Sequence, residues 1–167
     1  MMPKKKREYD FTIYTDGSFR RPYFGAWGYI VLDKDEASVH EDAQPVYHTT
    51  NNRMELQAIL EALRVTPEGS TILLYSDSQY CVNACAFWMV KWAKTNWITQ
   101  AQAPVANRDI LEQLFVEINK RKCWFVWVRA HNGNKYNELI DTKVQTITAE
   151  MLMRWKDGEK IPDPPEK

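Results

Sequence analysis

The chain reads as an α/β fold: a five-stranded mixed sheet, three antiparallel strands followed by alternating helix and strand, flanked by helices. Three observations predict it. β-prone, alternating runs fill the first third of the 167 residues. Amphipathic helical periodicity then takes turns with short apolar runs. Finally, Asp16, Glu55, Asp77 and Asp141 each fall where a predicted element begins or ends.

Phe11 to Thr15 alternate and form the first expected strand, ending at Asp16, with Gly17 and Ser18 as a turn. Ala26 to Leu32 is the second, and a stretch around Ser38 to His48 the third, completing an antiparallel meander. Thr49-Thr50-Asn51-Asn52 supplies capping side chains ahead of Met54, Leu56, Ile59, Leu60 and Leu63, whose three- and four-residue spacing marks a helix. Pro67-Glu68-Gly69 ends it. Thr71 to Ser76 is a short apolar strand, and Asp77-Ser78 opens a helix expected to run from Gln79 through about Val90. Asn107 to Arg121 is a second amphipathic helix, Cys123 to Arg129 the fifth strand, His131 to Tyr136 a loop, and Asn137 to about Met153 the last helix.

One domain is the expectation for this length, over residues 10–155, with a basic leader at 1–9 and a loose, proline-broken tail at 156–167. Lysine plus arginine equals aspartate plus glutamate, 22 each, which removes the strongly basic footprint of many nucleic-acid binders. No apolar run reaches the roughly 20 residues of a membrane span. The basic start has no apolar segment behind it, so no secretory signal is read and a cytoplasmic location is expected. Cys81, Cys85 and Cys123 have neither zinc-site nor redox-pair spacing; Cys81 and Cys85 lie one helical turn apart, which predicts a shared buried face.

The four acidic positions carry the chemistry. Taken singly, Asp16 is a turn residue, Asp77 a cap, and Glu55 and Asp141 complements to a helix dipole. Brought together, their carboxylates raise one another's pKa unless a cation lies among them. Hard oxygen donors without paired Cys or His point to Mg²⁺, with Mn²⁺ the alternative.

Thr15-Asp16-Gly17-Ser18, Thr49 through Leu56, Asp77-Ser78-Gln79-Tyr80, and His131-Asn132-Gly133 leading to Asn137-Glu138 and Asp141 resemble, in this order, the blocks of the type 1 ribonuclease H family. The resemblance spans about Asp10 to Val144. It implies the ribonuclease H-like fold and cleavage of the RNA strand of an RNA–DNA hybrid to 5′-phosphate and 3′-hydroxyl ends by a chain acting as a monomer. It makes Asp16, Glu55, Asp77 and Asp141 ligands of two Mg²⁺ ions, Asp16 bridging them, and His131 a mobile catalytic histidine able to shuttle a proton. It assigns Asn51 and Gln79 to the minor groove and the 2′-hydroxyl, joined by the Gly17-Ser18 backbone, Thr50 and Asn52. Trp88, Trp92 and Trp97 resemble the family's DNA-gripping protrusion, here with only Lys91 and Lys94 for charge between Trp88 and Gln100. His48 stands where an arginine for DNA phosphate is often found, and Phe19-Arg20-Arg21-Pro22-Tyr23-Phe24 replaces a loop rich in Gly and Asn.

Two rival readings remain open. A ribonuclease H-like nuclease could cut DNA instead, against which the amides of Asn51 and Gln79 argue. A non-catalytic hybrid-binding module is the other, disfavoured because a binder gains affinity by losing acidic groups beside phosphate.

Overall fold

A computed structural model describes residues 8–131 and 133–166. Its sheet has five strands in the order β3-β2-β1-β4-β5. β1 (Phe11–Arg20), β2 (Phe24–Leu32) and β3 (Ser38–Tyr47) form the antiparallel meander, and β4 (Thr71–Ser76) and β5 (Lys122–Trp127) add in parallel to the other side of β1. α1 (Asn51–Arg64), α2 (Gln79–Asn83), α3 (Met89–Lys94), α4 (Arg108–Asn119) and α5 (Lys135–Lys156) complete it.

One expectation about β1 is overturned. The strand does not end at Asp16; it continues through Asp16, Gly17 and Ser18 to Arg20, and the turn lies at residues 21–23. Asp16 pairs across the ladder with Gly28. Gly17 has a packing role instead of a turn role: a Cβ there would stand 2.6 Å from the Glu55 amide nitrogen and 2.7 Å from the Met54 carbonyl carbon. Its missing side chain is what lets α1 lie against the strand.

The larger core lies between the sheet and α1, α2 and α4, built on Ile13, Leu56, Ile59, Ile72, Leu74 and Leu111, all at most 1% exposed. Cys81 and Cys85 are buried in it, as the one-turn spacing predicts. On the opposite face α5 covers β1 and β2, where Ile140 packs with Tyr14, Ile30 and Leu32. Gly28 permits that approach, since a Cβ there would meet the Ile140 and Val144 side chains at 2.6 and 2.9 Å.

The helix expected over residues 79–90 is not continuous. A π-helical stretch, Ala84–Trp88, separates α2 from α3. Such widened turns hold one extra residue per turn and concentrate at functional sites. Leader residues 1–7 lie outside the described residues, while Tyr9 packs edge-on against Trp124, ring centroids 5.6 Å apart. No helix among the described residues is long and apolar enough to cross a membrane.

Candidate active site

Each acidic side chain arrives by a different route. Asp16 sits mid-strand on β1, 2% exposed, with its Oδ1 accepting from the Gly17 amide at 2.8 Å. Glu55 is the fifth residue of α1, 4% exposed, and the contact over Gly17 places its backbone beside Asp16. α1 begins where the Thr50 hydroxyl accepts from the Arg53 amide at 3.2 Å. Asp77 stands one residue past β4, at the carboxyl end of parallel strands where α/β sheets place ligands. Its carbonyl accepts from Trp127 Nε1 at 3.1 Å, and the Ser78 hydroxyl, accepting from the Cys81 amide, starts α2 immediately after it.

One carboxylate oxygen from each of Asp16, Glu55 and Asp77 lies within 4.8 Å of the others. Asp141, nearly two turns into α5, lies outside that triple but near enough to act on Asp16 and Asp77 electrostatically. Its neighbour Ile140 is the residue that Gly28 admits. Two glycines thus draw helices from opposite faces toward one point on β1.

Burial pushes the Asp16 carboxyl up to about 11, with the negative charges of Glu55, Asp77 and Asp141 adding to it. Glu55 is also raised well above the carboxylate range, by burial first and then by Asp77. Burial and then Asp141 raise Asp77, with His131 acting in the opposite direction. Among the described residues, Asp16 Oδ2 and Glu55 Oε2 are buried without a hydrogen-bond partner. Unpartnered carboxyl oxygens this close together fit a cation between them, which would take the place of the protons that burial otherwise holds there. The donors are all carboxylate oxygens. Cys81 is no competitor, since burial raises its thiol and keeps it protonated. The donor set therefore matches a hard divalent ion.

His131 is exposed, at φ +57°, with Nδ1 4.0 Å from Asp141 Oδ2. Asn51, Asn52, Thr50 and Gln79 are exposed around the amino ends of α1 and α2, flanking the carboxylates in sequence. Ser18 is different. It is 2% exposed and its hydroxyl bonds the Thr148 hydroxyl at 2.9 Å, while its backbone lies in the β1–β2 ladder opposite Ala26. The Gly17 amide is likewise engaged with Asp16. The turn expected to expose them is strand, and both residues are buried, with the Gly17 amide and the Ser18 hydroxyl already partnered.

The tryptophans divide. Trp88 is 37% exposed and Trp92 half-buried, whereas Trp97 is 7% exposed and packs edge-on against Phe115, centroids 5.8 Å apart. Trp97 is a core residue and not a strand-gripping one. His48 is also committed: its ring stacks on Tyr23 and its Nε2 donates to the Pro162 carbonyl at 2.6 Å. Sequence reasoning missed Trp127, which anchors Asp77, and Gly28; the signal for the latter was a glycine inside an otherwise apolar strand.

The sequence pattern of the RNase H family matches residues 8–148. The ribonuclease H of Chromohalobacter salexigens is 36% identical over 141 residues, covering 84% of this chain and 85% of its own length. Ribonuclease HI of Haemophilus influenzae is 38% identical over 143 residues, 84% and 87% of the two chains. Among solved structures, LC9-RNase H1, a type 1 RNase H with the type 2 active-site motif, superposes with a TM-score of 0.73 at 22% identity, covering 88% of this chain and 75% of its own. A foamy viral protease-reverse transcriptase in complex with RNA/DNA hybrid gives 0.75 at 15% identity, with 90% of this chain matched to 22% of that one. With its acidic cluster on the ribonuclease H-like sheet, the chain belongs to the type 1 ribonuclease H family, in its bacterial-like branch.

Proposed function

We propose that this ribonuclease cuts the RNA strand of RNA–DNA hybrids endonucleolytically and with metal dependence, leaving 5′-phosphate and 3′-hydroxyl ends. The observation that carries the reading is the Asp16, Glu55 and Asp77 triple, the first two buried and the third half-buried, with two unpartnered oxygens among the described residues. Asp16, Glu55, Asp77 and Asp141 would hold the Mg²⁺ ions, two in number, with Mn²⁺ able to substitute. Bound there, such ions supply positive charge for both the attacking and the leaving oxygen of an in-line displacement at phosphorus.

The chain's own residues orient and discriminate. The exposed amides of Asn51 and Gln79 both donate and accept, which suits the 2′-hydroxyl that separates RNA from DNA. Thr50 and Asn52, beside Asn51 at the start of α1, face the backbone of the DNA strand. Trp88 and Trp92 offer aromatic surface to that strand, and Lys91 and Lys94 add charge for its phosphates. Near Asp141, the exposed imidazole of His131 is placed to move a proton at the departing oxygen.

The test is incubation of a labelled RNA–DNA hybrid, an RNA duplex and a DNA duplex with Mg²⁺, Mn²⁺ or EDTA. Cleavage confined to the RNA of the hybrid and abolished by EDTA is expected. Cutting of duplex DNA, or tight hybrid binding without cleavage, would replace this reading with one of its rivals.

A further inference from the structure

The chain beyond α5 returns to the amino end of α1. α5 stops at Lys156, Gly158 turns the backbone at φ +95°, and residues 159–166 follow without regular secondary structure. The first four residues of this segment are nonetheless docked, and residues 163–166 extend exposed from them. Glu159, Lys160 and Ile161 share a crevice with Tyr47, Met151 and Trp155, and Ile161 is half-buried. Pro162 then accepts the 2.6 Å hydrogen bond from His48 Nε2. His48 is itself fixed, stacked on Tyr23 with centroids 4.3 Å apart and planes at 24°. Only Thr49 separates it from Thr50, which caps α1 ahead of the exposed Asn51 and Asn52.

The charge of the docked piece decides what it does there. Residues 159–166, Glu-Lys-Ile-Pro-Asp-Pro-Pro-Glu, carry Glu159, Asp163 and Glu166 against the single cation Lys160, a net acidic balance. Its three prolines reduce the freedom lost on docking. A neutral or basic arm at this place would add contacts to a nucleic acid; an acidic one repels it.

We propose that residues 159–166 are an acidic latch, anchored by His48, that competes with the DNA strand of the substrate beside the amino end of α1 and lifts when the hybrid seats. This rests on the reading that the Thr50 to Asn52 surface receives that strand. The latch acts on binding and leaves the carboxylate site alone, so its signature is in KM and not in kcat.

Two full-length variants and one probe test it. Asp163→Asn with Glu166→Gln should lower KM for a hybrid about two- to fivefold at low salt with kcat unchanged, the scale of surface charge interactions. Asp163→Lys with Glu166→Lys should lower it further, and both effects should shrink at about 200 mM salt. In the wild-type chain, saturating hybrid in EDTA should speed tryptic cleavage after Lys160. Normal wild-type turnover with KM unchanged or raised in both variants, or tryptic cleavage that hybrid does not accelerate, overturns the latch alone. A wild-type chain that neither binds nor cuts hybrid overturns the underlying reading, and the latch with it.

Discussion

A methyl group on Gly17 would meet backbone atoms of Met54 and Glu55 at under 3 Å, and backbone cannot swing aside as a side chain can. Gly17→Ala must therefore push α1 off β1, at about 1–3 kcal/mol for an overpacked contact. The same displacement carries Glu55 away from Asp16. The expected outcome is a lowered melting temperature together with a fall in kcat larger than the stability loss explains; thermal melts and steady-state kinetics check it, and wild-type kcat would remove Gly17 from the account of the site. Asp77→Asn makes the complementary case. The Asp77 carbonyl, which Trp127 holds, is untouched by the substitution, so the fold should persist while an anionic oxygen is lost from the triple. Activity should fall on the order of 100-fold, comparable to removing one preorganised electrostatic partner. A melting temperature within a few degrees of wild type separates this from unfolding.

At the level of elements, the stretch from α2 to α4 puts aromatic rings in sequence: Tyr80, Trp88, Trp92, Trp97 and Phe115, each centroid within 6.5 Å of the next. One end is wet and the other dry. Trp97→Ala should cost about 3–5 kcal/mol of stability, as for a large buried aromatic. Trp88→Ala should cost less than about 1 kcal/mol yet weaken hybrid binding, since a base or sugar against an aromatic face contributes about 1–3 kcal/mol. Chemical denaturation and hybrid titration of the two variants check the division; unchanged affinity in Trp88→Ala would leave the segment purely structural. This stretch also shows what a sequence reveals of a fold and what it hides. The apolar spacing of Leu56, Ile59, Leu60 and Leu63 places α1 to within a few residues, because each apolar position reports the same buried face. The π turn at Ala84–Trp88 has no such marker, as Ala-Cys-Ala-Phe-Trp is apolar throughout and carries no periodicity that separates one helix type from the other. The end of β1 is hidden in the sequence for a related reason. Asp-Gly-Ser has turn chemistry, and only the approach of α1, a contact between residues 38 positions apart in sequence, makes Gly17 a strand residue. The four carboxylates were legible as a set, whereas which tryptophan faces water depends on packing that periodicity does not encode.

For the molecule as a whole, the acidic cluster makes stability depend on pH and on divalent ions together. Asp16 and Glu55 have folded-state values above those of the unfolded chain, so the native state retains protons that the unfolded state has lost. Stability must then decline as pH rises above the ordinary carboxylate range, near 4, and keep declining toward about 11, where Asp16 itself ionises. Asp10, stabilised by the Thr71 backbone amide, and Asp109, held by Arg53, are shifted the other way. Their contribution is present above about pH 4 and is lost only below it, so they add no slope across pH 5 to 8. In that window each proton retained by the cluster costs at most about 1.4 kcal/mol per pH unit as pH climbs. A divalent ion replaces those protons and removes the penalty, and it binds the deprotonated oxygens best, so its stabilisation must grow with pH. Melting curves between pH 5 and 8, in EDTA and in Mg²⁺, should show the EDTA midpoint falling with pH and the Mg²⁺ midpoint staying nearly level, the two curves separating most at pH 8. Curves that remain parallel across the window would mean that the ion does not bind at Asp16 and Glu55. In Asp77→Asn the gap should narrow, because one of the three oxygens within 4.8 Å no longer carries charge.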